Sequence, residues 1–269
     1  RRSVLLNLGG GMICDLGGFA ASIYKRGIDF VHIPTTLLAQ ADAAIGGKTG
    51  INFIDYKNEI GTFNYPSSVF IFPRFLKTLP SRELNSGFAE IVKHALIADA
   101  SMFSRLVRSK KIPGNLLPCI RNSVKIKSAF VTKDFKEANQ RKALNFGHTI
   151  GHAIESIFLD MFCNKALLHG EAVAAGMIAE TFISFDRKWI TSSSLQKITV
   201  CCKKFFHLPV IRKSHYELIF EKMKNDKKNL NNSIRCTLLL KIGKYITDQQ
   251  VSKEEILRSL QYYNFVISK

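Results

Sequence analysis

The sequence lacks any apolar run approaching the ~20 residues that a membrane-spanning helix needs. It therefore reads as a protein without membrane spans. Cysteine is sparse and badly spaced for staples or metal knuckles. Cys14, Cys119, Cys163, Cys201, Cys202 and Cys236 include no C-x-x-C, and two are adjacent. That argues against a disulfide framework and for a reducing cytoplasm. An initiator Met is also missing. Arg1-Arg2-Ser3 followed by Val4 to Leu8 has the order of a secretory leader, but the apolar part is too short and Gly9-Gly10-Gly11 breaks it. The start reads as a truncation falling just before a β-strand. Negative charge is scarce as well, with 21 acidic residues against 39 basic ones and a net charge of +18. Such a balance fits either a polyanionic partner or a lysine-rich composition serving a small anionic substrate. The basic residues are spread among apolar helical patterns, which argues against nucleic acid.

What is present is a globular composition, 46% apolar and 22% charged over 269 residues, with no internal repeat. The first third follows the grammar of a parallel sheet. Val4 to Leu8 reads as a strand running into three glycines, and Asp15 to Tyr24 as a helix. Phe30 to Ile33 reads as a strand stopped by Pro34, Thr36 to Ala44 as a helix, and Val69 to Phe72 as a third strand stopped by Pro73. Beyond Leu79-Pro80-Ser81 the periodicity is helical. Leu84, Phe88, Ile91 and Ala95 fall on one helix face. Further helices are expected over about 120–132, 147–160, 168–187, 192–206 and 215–225, with a β-rich piece from Ile234 to Ile242. The expected fold class is α/β followed by all-α. Residues 1–80 form the C-terminal part of a Rossmann-like nucleotide domain, and residues 81–269 a helical metal- and substrate-binding domain.

Three local patterns carry chemistry. Gly9-Gly10-Gly11, between strand and helix, lets backbone N–H groups approach a pyrophosphate. The dinucleotide fingerprint wants a further glycine where Cys14 stands, so a plain tight turn is an equal reading. Gly46-Gly47-Lys48-Thr49 resembles a P-loop only superficially, because Asp42 occupies the position of its first glycine and no strand precedes it. A lysine on a glycine-rich loop survives, either reaching an anion or solvated. His148 and His152 lie four residues apart, on one face if helical, with Gly147 and Gly151 keeping that face open. His169 opens another expected helix, and Glu90 lies on the helix after the boundary. A glutamate with two histidines suits a catalytic divalent ion, though such a pair is also common on polar surfaces. His94, four residues from Glu90, is a decoy, and His32 lies in a strand as a structural residue.

Taken in order, these strings resemble the 3-dehydroquinate synthases. The likeness runs through Gly9 to Asp15, Tyr24 to Gly27, Ile33 to Gln40, Asp42 to Asn52, Lys57-Asn58, Ala89 to Lys93, Arg141 to Thr149 and Leu168 to Val173. It is dense from residue 9 to about 180 and thin afterwards. It implies conversion of a seven-carbon 2-keto acid phosphate (3-deoxy-D-arabino-heptulosonate 7-phosphate) to 3-dehydroquinate and phosphate, in the shikimate route to aromatic amino acids. The steps would be transient oxidation by NAD, phosphate elimination, re-reduction and aldol cyclisation.

The resemblance also implies roles. Glu90, His148 and His169 would hold Zn2+ or Co2+. Gly10, Gly11, Met12, Ile13, Cys14, Asp15, Thr35 and Thr36 would contact NAD, with Phe75, Leu76, Lys77 and Thr78 at its nicotinamide end. Asp42, Lys48 and Lys57 would lie near the junction of cofactor and substrate. The substrate shell would be Arg26, Asp42, Lys48, Asn58, Lys93, Lys127, Arg141, Asn145 and His152. Of these, Lys48, Lys93, Arg141, Asn145 and His152 would act in catalysis, His152 as the proton-transfer residue. Arg26 would come from the neighbouring subunit of a homodimer. Apart from the resemblance, in the tail where it is thinnest, Lys227, Lys228 or Arg235 are candidates to complete the phosphate pocket.

The sequence departs from the family at Cys14, at Phe72 where many relatives carry aspartate, and in the missing front of the nucleotide domain, which would bring the acidic groups for the adenosine ribose. Competing readings are a cyclase acting on another sugar phosphate, a glycerol-dehydrogenase-like enzyme and a decayed basic binding protein.

Overall fold

The computed structural model describes residues 3–53, 56–161, 166–224 and 233–269, and leaves out the side chains of residues 53 and 56–58. The chain divides into two compact units that interleave in sequence: residues 1–91 with 114–141, and residues 92–113 with 142–269.

The first unit is built on a strand–helix–strand motif. Strand β1 (Val4–Gly9) leads through Gly10 into helix α1 (Gly11–Ile23) and then β2 (Asp29–Pro34). β1 and β2 pair in parallel from Val4↔Asp29 to Gly9↔Pro34. Asn7 and His32, partners in that register, meet through Asn7 Nδ2 and His32 Nδ1 at 3.2 Å. The amide nitrogen can only donate, so Nδ1 accepts. Burial lowers the His32 pKa to about 4, and the ring is a neutral structural group.

The segment after β2 departs from the expected helix. Leu37 and Leu38 are helical, but Ala39–Ala43 widens into a π-turn. An antiparallel hairpin follows, β3 (Lys48–Phe53) and β4 (Tyr56–Phe63), which the sequence reading did not foresee. The third parallel strand is also shorter than the expected Val69 to Phe72. β5 covers only Ser68–Val69, paired in parallel with β2. Beyond it, Gln40 is fully buried and its amide donates to both Pro34 O and Phe72 O at 3.1 Å. The Phe72 carbonyl is thereby committed to a side chain. Helix α2 (Ser81–Ala98) starts in this unit, and α4 (Leu117–Lys133) packs against the π-turn.

The second unit is mainly helical. Besides the end of α2 it contains α3 (Ala100–Arg108), α5 (His148–Met161), α6 (His169–Asp186), α7 (Ser192–Phe205), α8 (Tyr216–Lys224) and α9 (Lys253–Ile267). The β-rich piece is an antiparallel pair, β6 (Arg235–Lys241) and β7 (Lys244–Gln250). α6 is its axis. Fourteen of its 18 residues are buried, and it packs on α5, α7, α9 and β6. Apolar residues all around a helix are what such a central position demands. Among the described residues no helix is long and apolar enough to cross a membrane.

Candidate active site

In the first unit the glycine turn lies at the carboxyl ends of β1 and β2, where parallel sheets bind ligands. Gly10 caps α1 in an extended conformation. A Cβ there would lie 3.0 Å from the Thr36 methyl, and one on Gly11 3.3 Å from Ala43 Cβ. The Thr35 N–H donates to Gly9 O at 2.8 Å. Thr35 and Thr36 are thus seated against the turn. Met12 is exposed, and Cys14 is buried with its thiol pKa pushed up to about 12, first by burial and then by Asp15. The residue in place of the fingerprint glycine is an interior packing group.

Behind the turn lies a charged centre. Lys127 Nζ sits 2.8 Å from both the Asp42 carboxylate and the Asp42 carbonyl. The Asp15 carboxyl is raised to about 6, chiefly by burial and further by Asp42, against the pull of Lys127 and Lys48. Lys48, on the hairpin, pairs with Glu137. Arg141 is buried, donates from Nη1 to Phe135 O at 2.6 Å and places Nε 3.9 Å from Glu137.

The glycines ahead of Lys48 explain how the hairpin comes so near. Gly46 has φ +116°, and a Cβ there would lie 2.7 Å from Arg141 Nη2. Phe135 stacks on Tyr65 with ring centroids 4.3 Å apart and meets Phe63 edge-on, fastening the loop after α4 to the hairpin. This part of the chain brings together Asp15, Asp42, Lys48, Lys127 and Arg141, and adds Glu137, which sequence reasoning missed. Glu137 lies in a polar loop without periodicity, so no local pattern marked it.

In the second unit His148, His152 and His169 converge. Their ring centroids are 5.0, 5.3 and 5.6 Å apart, and one nitrogen from each lies within 4.8 Å of the others. The helices that carry them run antiparallel in main-chain contact. A Cβ on Gly176 would lie 2.0 Å from Gly147 O, and one on Gly151 2.8 Å from Ala172 O. His169 Nδ1 then faces Glu155 of α5, 3.6 Å from Oε2. His148 Nδ1 is 3.1 Å from Phe146 O; a carbonyl only accepts, so Nδ1 carries a proton, the arrangement of a histidine that offers Nε2 to a cation. Glu155 was not singled out from the sequence, although it continues the i, i+4, i+7 face of His148 and His152.

The other expected residues are placed as follows. Glu90 is fully buried on the first-unit stretch of α2, and Lys93 and His94 are buried on its second-unit stretch. Asn145 is half-buried on the turn Gln140–Asn145 that leads to α5. Arg26 is exposed on the turn Tyr24–Arg26, at φ +66°. Phe75 to Thr78 form most of the 3-10 turn Pro73–Thr78. Arg235 opens β6 and donates to Asp248 O at 3.0 Å. The Lys57 and Asn58 side chains, and Lys227 and Lys228 altogether, lie outside the described residues.

Two family models match one after the other, 3-dehydroquinate synthase N-terminal over residues 1–86 and 3-dehydroquinate synthase C-terminal over residues 87–229. The chain belongs to the 3-dehydroquinate synthase family. Its function is that of the family, a cyclase of the lyase type. A 3-dehydroquinate synthase of Parabacteroides distasonis is 44% identical over 267 residues, 98% of this chain and 75% of the relative. Among solved structures, a 2-epi-5-epi-valiolone synthase of Streptomyces hygroscopicus with NAD+ and Zn2+ bound aligns with a TM-score of 0.86 and 32% identity, covering 98% of this chain and 74% of that one. A 2-deoxy-scyllo-inosose synthase complexed with carbaglucose-6-phosphate, NAD+ and Co2+ aligns at 0.83 and 27%, covering 97% and 74%.

Proposed function

We propose that this chain converts 3-deoxy-D-arabino-heptulosonate 7-phosphate to 3-dehydroquinate and phosphate, with a divalent ion held by Glu90, His148 and His169 and NAD held at the glycine turn. The observation that supports the metal half is the convergence of His148 and His169, with His152, each bringing a nitrogen within 4.8 Å of the others; Glu90 is assigned as a ligand by the family resemblance. Imidazole donors suit zinc or cobalt, and the carbonyl on His148 and the carboxylate beside His169 are the outer partners such ligands use. The cofactor half is supported by the cradle at Gly10 and Gly11, which any Cβ would crowd. The two cyclases solved with NAD+ and Zn2+ or Co2+ point the same way.

When bound, the ion and NAD supply Lewis acidity at a substrate hydroxyl and a reversible acceptor for its hydride. The protein's own groups do the rest. Lys48, Lys93, Lys127 and Arg141 provide charge-assisted donors for a carboxylate and a phosphate. Asp42 orients Lys127, and Glu137 holds Lys48 beside Arg141. Asn145 offers a neutral donor and acceptor ahead of the metal helix. His152, within the histidine cluster, transfers the proton. Met12, Ile13, the main chain at Cys14, Asp15, Thr35, Thr36, Lys57 and Phe75 to Thr78 complete the cofactor contacts, and Asn58 the substrate shell. Arg26 acts from the partner in a homodimer, and the enzyme works in the cytoplasm.

The test incubates the protein with NAD, Zn2+ and the heptulosonate phosphate and follows phosphate release. Release with formation of dehydroquinate is expected; phosphate released only from an uncarboxylated sugar phosphate would assign it to another cyclase. His148→Ala and His169→Ala should lose bound metal and His94→Ala should keep it, whereas equal loss in all three would show the wrong ligands were chosen.

A further inference from the structure

We infer that Glu180 is a positioning residue for the metal-binding histidines, capping the helix of His148 from the helix of His169. The inference rests on the metal reading above. α5 begins at His148, so the N–H groups of its first turn have no partner inside the helix. Gly147, which precedes it, has no side chain to offer them. It cannot carry one, since a Cβ there would lie 2.5 Å from Met177 Cγ and 3.0 Å from Met177 N and Val173 O. A helix of this kind ordinarily starts at Ser, Thr, Asp or Asn.

Glu180 fills that role from outside. It lies on α6, one turn beyond Gly176, and is fully buried. Its Oε2 accepts the Gly147 N–H at 2.6 Å and its Oε1 accepts the Ile150 N–H at 3.2 Å. The two donors are three residues apart and bracket His148. One carboxylate thereby satisfies the two N–H groups that a capping box shares between two side chains. It also sets a negative charge against the positive end of α5.

The consequence for the site is geometric. His148 has its backbone held to α6 by Glu180, and His169 is part of α6. How firmly these two imidazoles are held against the main-chain seam therefore depends on the length and charge of the Glu180 side chain. A carboxylate this deep in the core is costly to bury, and its two charge-assisted bonds supply the compensation. Ser184, another buried polar group one turn along, bonds to Glu180 O and Leu239 N.

The experiment compares wild type, Glu180→Gln, Glu180→Asp and Ser184→Ala as full-length proteins. The readouts are the Co2+ dissociation constant by chelator competition and the visible Co2+ absorption bands, taken well below each variant's melting temperature. Gln keeps the shape but turns an NH2 toward one of the two donors, and Asp is one methylene too short to reach both. Each is expected to weaken Co2+ by about 10- to 100-fold and to alter the bands. Ser184→Ala, which loosens the same helix elsewhere, should leave both readouts unchanged. Wild-type affinity and bands in both Glu180 variants would overturn the inference, as would an equal loss in Ser184→Ala. His148→Ala serves as the check on the underlying reading. If wild type and His148→Ala bind Co2+ alike, the metal assignment fails and the inference falls with it. If only His148→Ala loses the ion while the Glu180 variants keep it, the inference alone fails.

Discussion

Gly176→Ala adds one methyl where the two histidine helices touch. Its Cβ would lie 2.0 Å from Gly147 O and 2.7 Å from Gly151 N. Both neighbours are main-chain atoms, so neither can rotate aside. A Cβ contact essentially never falls below 3.0 Å, so the helices must part by about 1.0 Å (3.0 − 2.0). Overpacking of this kind costs about 1–3 kcal/mol, and the rigidity of the obstacle places it near the top of that range. Replacing glycine by alanine within a helix returns up to ~1 kcal/mol. A net loss near 2 kcal/mol corresponds to a fall in melting temperature of roughly 4–8 °C for a chain of this size. The separation also exceeds the ~0.5 Å within which a ligand set must be held, so Zn2+ affinity should drop at least about tenfold. Thermal melts of the apo protein and Zn2+ competition titrations measure the two effects separately. Gly114→Ala is the control, since its Cβ would meet nothing within 4 Å. Parental melting temperature and Zn2+ affinity in Gly176→Ala would refute the view that main-chain contact sets the histidine spacing.

Removing the carboxylate of Asp15 should change how stability varies with pH. Its folded pKa is raised to about 6 from 3.8, so ionisation costs stability above pH 6, and the cost is relieved as the folded carboxyl takes up its proton between about pH 6 and 4. Asp15→Asn should therefore be more stable than the parent at pH 8, by roughly 1–3 kcal/mol, with the gap closing toward pH 4. Urea melts at pH 8, 6 and 4.5 check this, and a gap independent of pH would contradict it. Glu155→Gln should leave His169 without its outer carboxylate and raise the Zn2+ dissociation constant by about 10- to 100-fold. An unchanged constant would show that the 3.6 Å approach to His169 has no influence on the metal.

The long helices were legible because their apolar residues recur at helical steps. The expected helices over 120–132, 147–160, 168–187, 192–206 and 215–225 correspond to α4 through α8. Two helices escaped. α3 is only nine residues and carries two serines and two arginines. α9 announced itself through Ser252 and Glu255, whose reciprocal capping bonds the structure displays, but that signal was not read. The β3–β4 hairpin was hidden by Gly50, Gly61 and Asn52, which blur the alternation of a strand.

The site divides in the same manner. Residues embedded in unusual strings could be named from the sequence: the glycine turn, Lys48, Arg141 and the histidines. Glu137, Glu155 and Glu180 could not, because each earns its place through a partner distant in sequence. Glu180 did leave one trace, a lone carboxylate amid Gly176-Met177-Ile178-Ala179, where an acidic side chain has no business without a buried donor.

The glycine seam between α5 and α6 has a further meaning. A spacing held by side chains behaves like a spring, since rotamers can shift and the gap can close or open. Here the two backbones are already in hard contact. The seam is a stop: the histidine helices can be pried apart, but they cannot move closer. Substitutions elsewhere in the second unit can therefore loosen the grip on an ion, and none can tighten it by compressing the pair.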